Sequence, residues 1–188
     1  MKKTWNVIEA EPSLLGEGPV WDPVSQSLYW VDILQCRIHQ YFPATGKRKT
    51  VGTESMVGAI ALRESGGLVA ATQNGLIGIG ASTKSEQLLA SPEAEIPGNR
   101  FNDGKCDAAG RFWAGTMSLT GVSQAGALYM LDTDHAVTVQ LPQVSCSNGL
   151  CWSKDCKTFY FIDTPTRQIA AFDFDLRSGR LSKKRIAQ

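Results

Sequence analysis

The stretch 98-GNRFNDGKCDAAGRFWAGTM-117 sets Arg100, Asn102, Asp103 and Lys105 around a single Phe, directly ahead of an apolar run. Its later part, 105-KCDAAGRFWAGT-116, has the form of an apolar strand, a turn at 107-DAAG-110 and a second apolar strand that closes on a Thr. Polar and charged side chains crowded against the start of a buried strand need a reason, and repetition along the chain supplies one.

Three further segments have the same form: 19-PVWDPVSQSLYWVD-32, 59-AIALRESGGLVAAT-72 and 150-LCWSKDCKTFYFID-163. The closing residues Asp32, Thr72, Thr116 and Asp163 stand 40, 44 and 47 positions apart. A second pair of strand-like runs follows each hairpin, as in 37-RIHQYFP-43 with 48-RKTV-51 and 168-QIAAFDFD-175 with 180-RLSKKRI-186. The middle units carry 75-GLIGIG-80 with 86-EQLLA-90, and 126-GALYMLD-132 with 136-AVTVQL-141. Alternating apolar and polar side chains between bends rich in Gly, Asp and Asn mark hairpins, and no segment carries a helical period. Four strands per repeat of this length is how a β-propeller blade is written. A sandwich or barrel of similar hairpins competes with that reading, and the strict recurrence of the whole unit argues against it. The expectation is all-β: one β-propeller domain over residues 1–188, with about four blades at roughly 15–55, 56–98, 99–145 and 146–188.

Superposing the units on their closing residues places Glu17, Val57, Asn102 and Asn148 immediately before each first strand, within one residue of slack. First strands of a propeller line its central channel, so these positions form a ring at one mouth, where Glu17, Asn102 and Asn148 converge. One carboxylate and two amides offer hard oxygen donors, suited to Ca²⁺, Mg²⁺ or Mn²⁺, and would be costly to bury without a cation. The competing reading takes 102-NDG-104 and 148-NG-149 as simple turns. Arg100, two residues before Asn102, projects from the same face and could grip a hydroxyl-rich or anionic substrate through its fork of donors. Asp103 either orients a neighbour or caps the turn, and the Lys105 stem packs along the blade. Trp21, Trp30, Trp113 and Trp152 read as fillers between blades.

Composition narrows the remaining classes. With 43% hydrophobic residues, 20% charged and a net charge of +1 in 188 residues, nothing favours nucleic acid or an anionic membrane as partner. No apolar run approaches the roughly 18 residues of a membrane span, and 1-MKKTWNVIEAEP-12 lacks the apolar core of a secretory signal, so the cytoplasm is the expected compartment. The five cysteines are odd in number, scattered and without a C-x-x-C pair, and His39 and His135 lie far from the later ones. They read as inert fillers and as surface or strand residues respectively, rather than as a disulfide frame or a zinc site.

In order and spacing, 16-GEGPVWD-22, 28-LYWVDI-33, 100-RFNDGK-105, 111-RFWAGTM-117, 126-GALYMLD-132, 147-SNGL-150 and 172-FDFD-175 resemble the gluconolactonase/regucalcin (senescence-marker-protein/gluconolactonase) family from about Leu15 onward. The resemblance implies a six-bladed propeller that binds one divalent cation (Ca, Zn, Mg or Mn) and hydrolyses sugar lactones. It makes Glu17 and Asn148 metal ligands, Asn102 a residue near the metal that contacts substrate or water, and Arg100 a substrate-binding residue. Where some members carry a Glu that holds the sugar, this chain has Thr120. Six blades need roughly 270 to 300 residues at this repeat length. The family's third ligand, an Asp that also serves as general base, is therefore expected beyond Gln188, and exposed blade edges invite self-association. No G-x-S-x-G elbow is present, which agrees with hydrolysis by metal-activated water. Cation or ligand binding without catalysis, and phosphotriester or other ester hydrolysis on a related propeller, are the alternatives.

Overall fold

The computed structural model describes residues 7–8, 12–80 and 86–188, so most of the opening segment read for a secretory signal lies outside the described residues. Among these, sixteen strands form four antiparallel sheets of four, each from strands consecutive in the chain. The first sheet holds β1 (Gly16–Asp22), β2 (Ser27–Asp32), β3 (Arg37–Phe42) and β4 (Lys47–Gly52). The second holds β5 (Val57–Leu62), β6 (Leu68–Thr72), β7 (Gly75–Ile79) and β8 (Glu86–Ala90). The third holds β9 (Asn99–Cys106), β10 (Phe112–Ser118), β11 (Gly126–Leu131) and β12 (Val137–Val144). The fourth holds β13 (Ser147–Trp152), β14 (Thr158–Asp163), β15 (Ile169–Asp175) and β16 (Arg180–Ile186). Among the described residues, no helix is long and apolar enough to cross a membrane.

First strands neighbour one another in turn, β1 beside β5, β5 beside β9 and β9 beside β13, which makes the arrangement propeller-like. Each seam between sheets has its own core. Val31, Ile33 and Ile38 meet Ile60, Leu68 and Ile77 at the first seam. Small residues of the second sheet, Ala59 and Ala71, let Phe101, Phe112 and Tyr129 of the third come close. Trp113, Leu128 and Met130 pack on Phe159, Phe161 and Phe172 at the third. Val31, Leu128, Trp113 and Phe159 have no exposed surface, and each such burial contributes roughly 1.5–3 kcal/mol. Trp113, Trp152 and Trp30 fill space between or within sheets as expected, Trp113 against Trp152, Phe159 and Phe174, and Trp30 stacked 5.0 Å from the His39 ring. Trp21 departs from the expectation: it is 46% exposed and lines a cavity along the first strands.

In three of the four sheets the residue that closes the first hairpin fastens the connector leading into it, whereas Thr72 of the second donates to the Gly75 carbonyl within its own sheet. Asp32 accepts hydrogen bonds from the Leu14 and Leu15 N–H groups at 2.9 and 3.2 Å. Asp163 accepts from Ser145 and Cys146 at 3.1 and 2.8 Å, contacts strengthened by the carboxylate charge. The Thr116 hydroxyl donates to Glu93 Oε1 and accepts from Ala127 N. Between the third and fourth sheets, buried Asp107 pairs with Arg111 Nε at 2.7 Å and accepts from Trp113 Nε1 at 3.0 Å. Arg111 Nη2 reaches the Leu176 carbonyl of the fourth sheet at 2.7 Å.

The registers share an irregularity. Taken between matched pairs, every first strand carries one residue more than its partner: in the intervals 17–20 against 31–29, 57–59 against 72–71, 101–104 against 116–114 and 147–150 against 163–161. Such a bulge bends the strand and turns side chains out of their alternating order. It also corrects the expected placement. Arg100, Asn102, Asp103 and Lys105 lie inside β9, and Glu17 and Asn148 inside β1 and β13, because a bulge lets polar residues occupy a strand without the period-two pattern that reveals one. In the second sheet the equivalent place belongs to Gly58, not Val57, which is fully buried. A Cβ on Gly58 would overlap the carbonyl oxygens of Phe101 and Asn102.

Asp107→Ala leaves the buried Arg111 guanidinium without its counter-ion and the Trp113 N–H without its acceptor. It is expected to cost about 3–5 kcal/mol in denaturant unfolding, and a loss below about 1 kcal/mol would refute the latch. Gly58→Ala drives a methyl into backbone that cannot yield, with an expected cost of about 1–3 kcal/mol by the same measurement.

Candidate functional site

The shared bulge brings Glu17, Gly58, Asn102 and Asn148 to corresponding places on four neighbouring strands. Glu17 and Asp103 line a common cavity of about 610 Å³ together with Gly18, Trp21, Ile60 and Lys105. Lys105 is exposed and lines this cavity. Both Glu17 and Asn148 are exposed, and among the described residues neither side chain makes a hydrogen bond.

The neighbours of these two residues are, by contrast, engaged. Arg100 is buried and donates through Nη1 to the Phe101 carbonyl at 2.9 Å and to Asn102 Oδ1 at 2.8 Å. Burial lowers its pKa, an effect opposed by Cys146 and by Glu17, so the Glu17 carboxylate lies near enough to act on the guanidinium. Asn102 Nδ2 donates across the seam to the Ser147 carbonyl at 2.7 Å. Asp103 is the orienting residue that the sequence left between two readings: Oδ1 accepts from Gly104 N at 2.8 Å and Oδ2 from Gly149 N at 2.9 Å. Thr120 is exposed and sits 3.2 Å from the Ser118 hydroxyl.

Among the described residues, no group of three or more His, Cys, Asp and Glu side chains gathers at metal-holding distance. Glu17, Asn102 and Asn148, at corresponding places on their strands, are one carboxylate and two amides, a donor set that fits a hard cation. Coordination by Glu17 and Asn148 would break no internal hydrogen bond. Burial, with Asp107 nearby, raises the Cys106 thiol to about 11, so that group offers no thiolate near neutral pH. His39 is buried in β3 and His135 sits exposed in a turn, matching their expected roles.

One acid escaped sequence reasoning. Glu93, in the connector between the second and third sheets, accepts from Thr116 and from the Tyr129 hydroxyl at 2.7 and 2.9 Å through Oε1, and from Asn99 Nδ2 at 3.0 Å through Oε2. Burial first, and this hydrogen bond second, push the Tyr129 phenol well above its ordinary range. Nothing in 91-SPEAEIPGN-99 distinguishes it from an ordinary loop.

Comparison with known proteins accords with this architecture. The chain is 41% identical to human regucalcin over 175 residues, covering 90% of this chain and 58% of that protein. Its structure resembles that of a calcium-binding protein, regucalcin, from Agrobacterium tumefaciens, with a TM-score of 0.90 and 32% identity over 96% of this chain and 61% of the other. A gluconolactonase from Xanthomonas campestris, 20% identical, shares the fold with a TM-score of 0.76 over 92% of this chain and 62% of that one. The chain thus spans about three fifths of the length of these relatives. Residues 15–188 match the family described as SMP-30/Gluconolactonase/LRE-like region, and the chain belongs to that family.

Proposed function

We propose that this chain carries the cation- and substrate-binding part of a divalent-metal-dependent hydrolase of sugar lactones. The observation that carries the reading is the pair Glu17 and Asn148, an acid and an amide at corresponding bulges, both exposed and, among the described residues, making no side-chain hydrogen bond. Membership of a family described by gluconolactonase, and likeness to a calcium-binding regucalcin, support it. In the whole protein two further blades would complete a six-bladed ring and supply an Asp as third ligand and general base.

Glu17 and Asn148 would hold the cation. When bound, it supplies Lewis acidity toward a carbonyl oxygen and a water molecule, so no nucleophilic Ser or Cys is needed. Arg100 and Asn102 act on the substrate. The buried guanidinium is fixed through Nη1, which leaves its other donors for a sugar hydroxyl or a developing anion. The Asn102 side chain is held at both ends, to Arg100 and to Ser147, so whatever it presents to substrate is set before binding.

A second reading has its own support. Asp103 spends both carboxylate oxygens on backbone N–H groups, so of Glu17 and Asp103, the acids lining the cavity, neither is left as a base once Glu17 binds metal. On that ground the 188-residue chain by itself would take up a cation without turning over substrate.

Calorimetric titration with Ca²⁺, Mg²⁺, Mn²⁺ and Zn²⁺, beside hydrolysis of an aldonolactone panel, separates the two. Glu17→Gln and Asn148→Ala should each weaken cation binding by more than the roughly 10- to 100-fold that loss of an outer-sphere partner costs. Lactone hydrolysis by the whole protein should vanish with chelator and return with metal. Undiminished hydrolysis after metal removal rejects the mechanism.

A further inference from the structure

We propose that Asp103 is a positioning residue which, with Asn102, holds the two peptide units on either side of Asn148 and so fixes how that amide is presented. The inference rests on the functional reading of Asn148 given above. Its basis is a pair of hydrogen bonds across the third seam. Asn102 Nδ2 donates to the Ser147 carbonyl, which belongs to the peptide before Asn148. Asp103 Oδ2 accepts from Gly149 N, which belongs to the peptide after it.

Peptide units are planar, so the only freedom between those two planes is the φ and ψ of Asn148. Gripping each plane from a neighbouring strand removes that freedom. The Asn148 side chain is exposed and makes no hydrogen bond of its own among the described residues, so the backbone is what fixes the Cα–Cβ bond from which its amide is presented. Gly149 suits the grip, because its φ of +106° is one that residues with a side chain rarely adopt and a Cβ there would stand 3.1 Å from the Ile162 side chain. Asp103 is itself steadied by Gly104 N on its other oxygen. The four sheets place Gly18, Ala59, Asp103 and Gly149 at this second bulge position. Only the third sheet puts a polar side chain there, and that side chain points at the sheet bearing Asn148. Partners that orient a ligating group from outside govern affinity through geometry.

The test uses the full 188-residue chain with Asp103→Asn, Asp103→Glu and Asp103→Ser. The first readout is amide hydrogen exchange of Gly149 by NMR in cation-free protein, referenced to Leu150 and Cys151. Each substitution should speed exchange at Gly149 by at least about tenfold, the scale of a lost hydrogen bond to a charged acceptor. The second is Ca²⁺ and Mn²⁺ affinity by calorimetry, which should fall about 10- to 100-fold, while the cation-free melting temperature stays within about 4 °C of wild type. Asp103→Glu keeps the charge but displaces the carboxylate, so it should lose affinity as Asp103→Asn does. Unchanged exchange at Gly149 overturns the proposal. So does wild-type affinity in Asp103→Glu, since charge alone would then suffice, or an affinity loss matched in every variant by a collapse of the melting temperature. A wild-type chain that takes up no cation defeats the functional reading, and the exchange at Gly149 then decides the clamp alone. Should one substitution prevent folding, the other two carry both readouts.

Discussion

The structure depends on covering both faces of its middle sheets at once. Strands β6, β7 and β11 have no exposed residue on either face, so neither sheet could persist as a layer with one side in water. The solution is to stack sheet on sheet, with small residues where a neighbour's aromatics must enter. Because sheets twist with one hand, successive layers rotate about a common line, and their first strands meet along it. A site on that line draws one or two residues from each sheet, and so from chain positions far apart.

What those strands present is set by the bulge they share. A regular strand would send alternate residues into a seam, and a carboxylate there would have to be paired or neutralised. One extra residue releases the local alternation and lets a polar group occupy the strand without entering the apolar core. The same device gives different results in each sheet: an acid at Glu17, an amide at Asn102 and Asn148, and at Gly58 no side chain at all. That glycine admits the backbone of β9, so the second sheet contributes closeness where the others contribute donors.

Much of this was legible in the chain. The hairpins, the repeat and the correspondence of Glu17, Asn102 and Asn148 all follow from short-range patterning and turn residues. The bulge itself was not, since it removes the alternation by which a strand is recognised; this is why the polar residues read as lying before their strands and why Val57 stood in for Gly58. Trp21 misled for a related reason: a large side chain on a first strand can open on a cavity as readily as it packs a seam. Glu93 was silent because its partners Thr116 and Tyr129 lie 23 and 36 positions away.

The amino-acid order alone determined four strand-rich units, their turns and the kind of donors each brings, because periods of two and side-chain bonds to nearby backbone act within a few residues. Tertiary structure decided which polar groups are spent and which stay open. Asn102 and Asp103 are committed to Ser147 and Gly149, 45 and 46 positions on, whereas Glu17 and Asn148 are left exposed. Hydrogen bonds between separate sheets depend on how the sheets stack, and no local pattern along the chain encodes that.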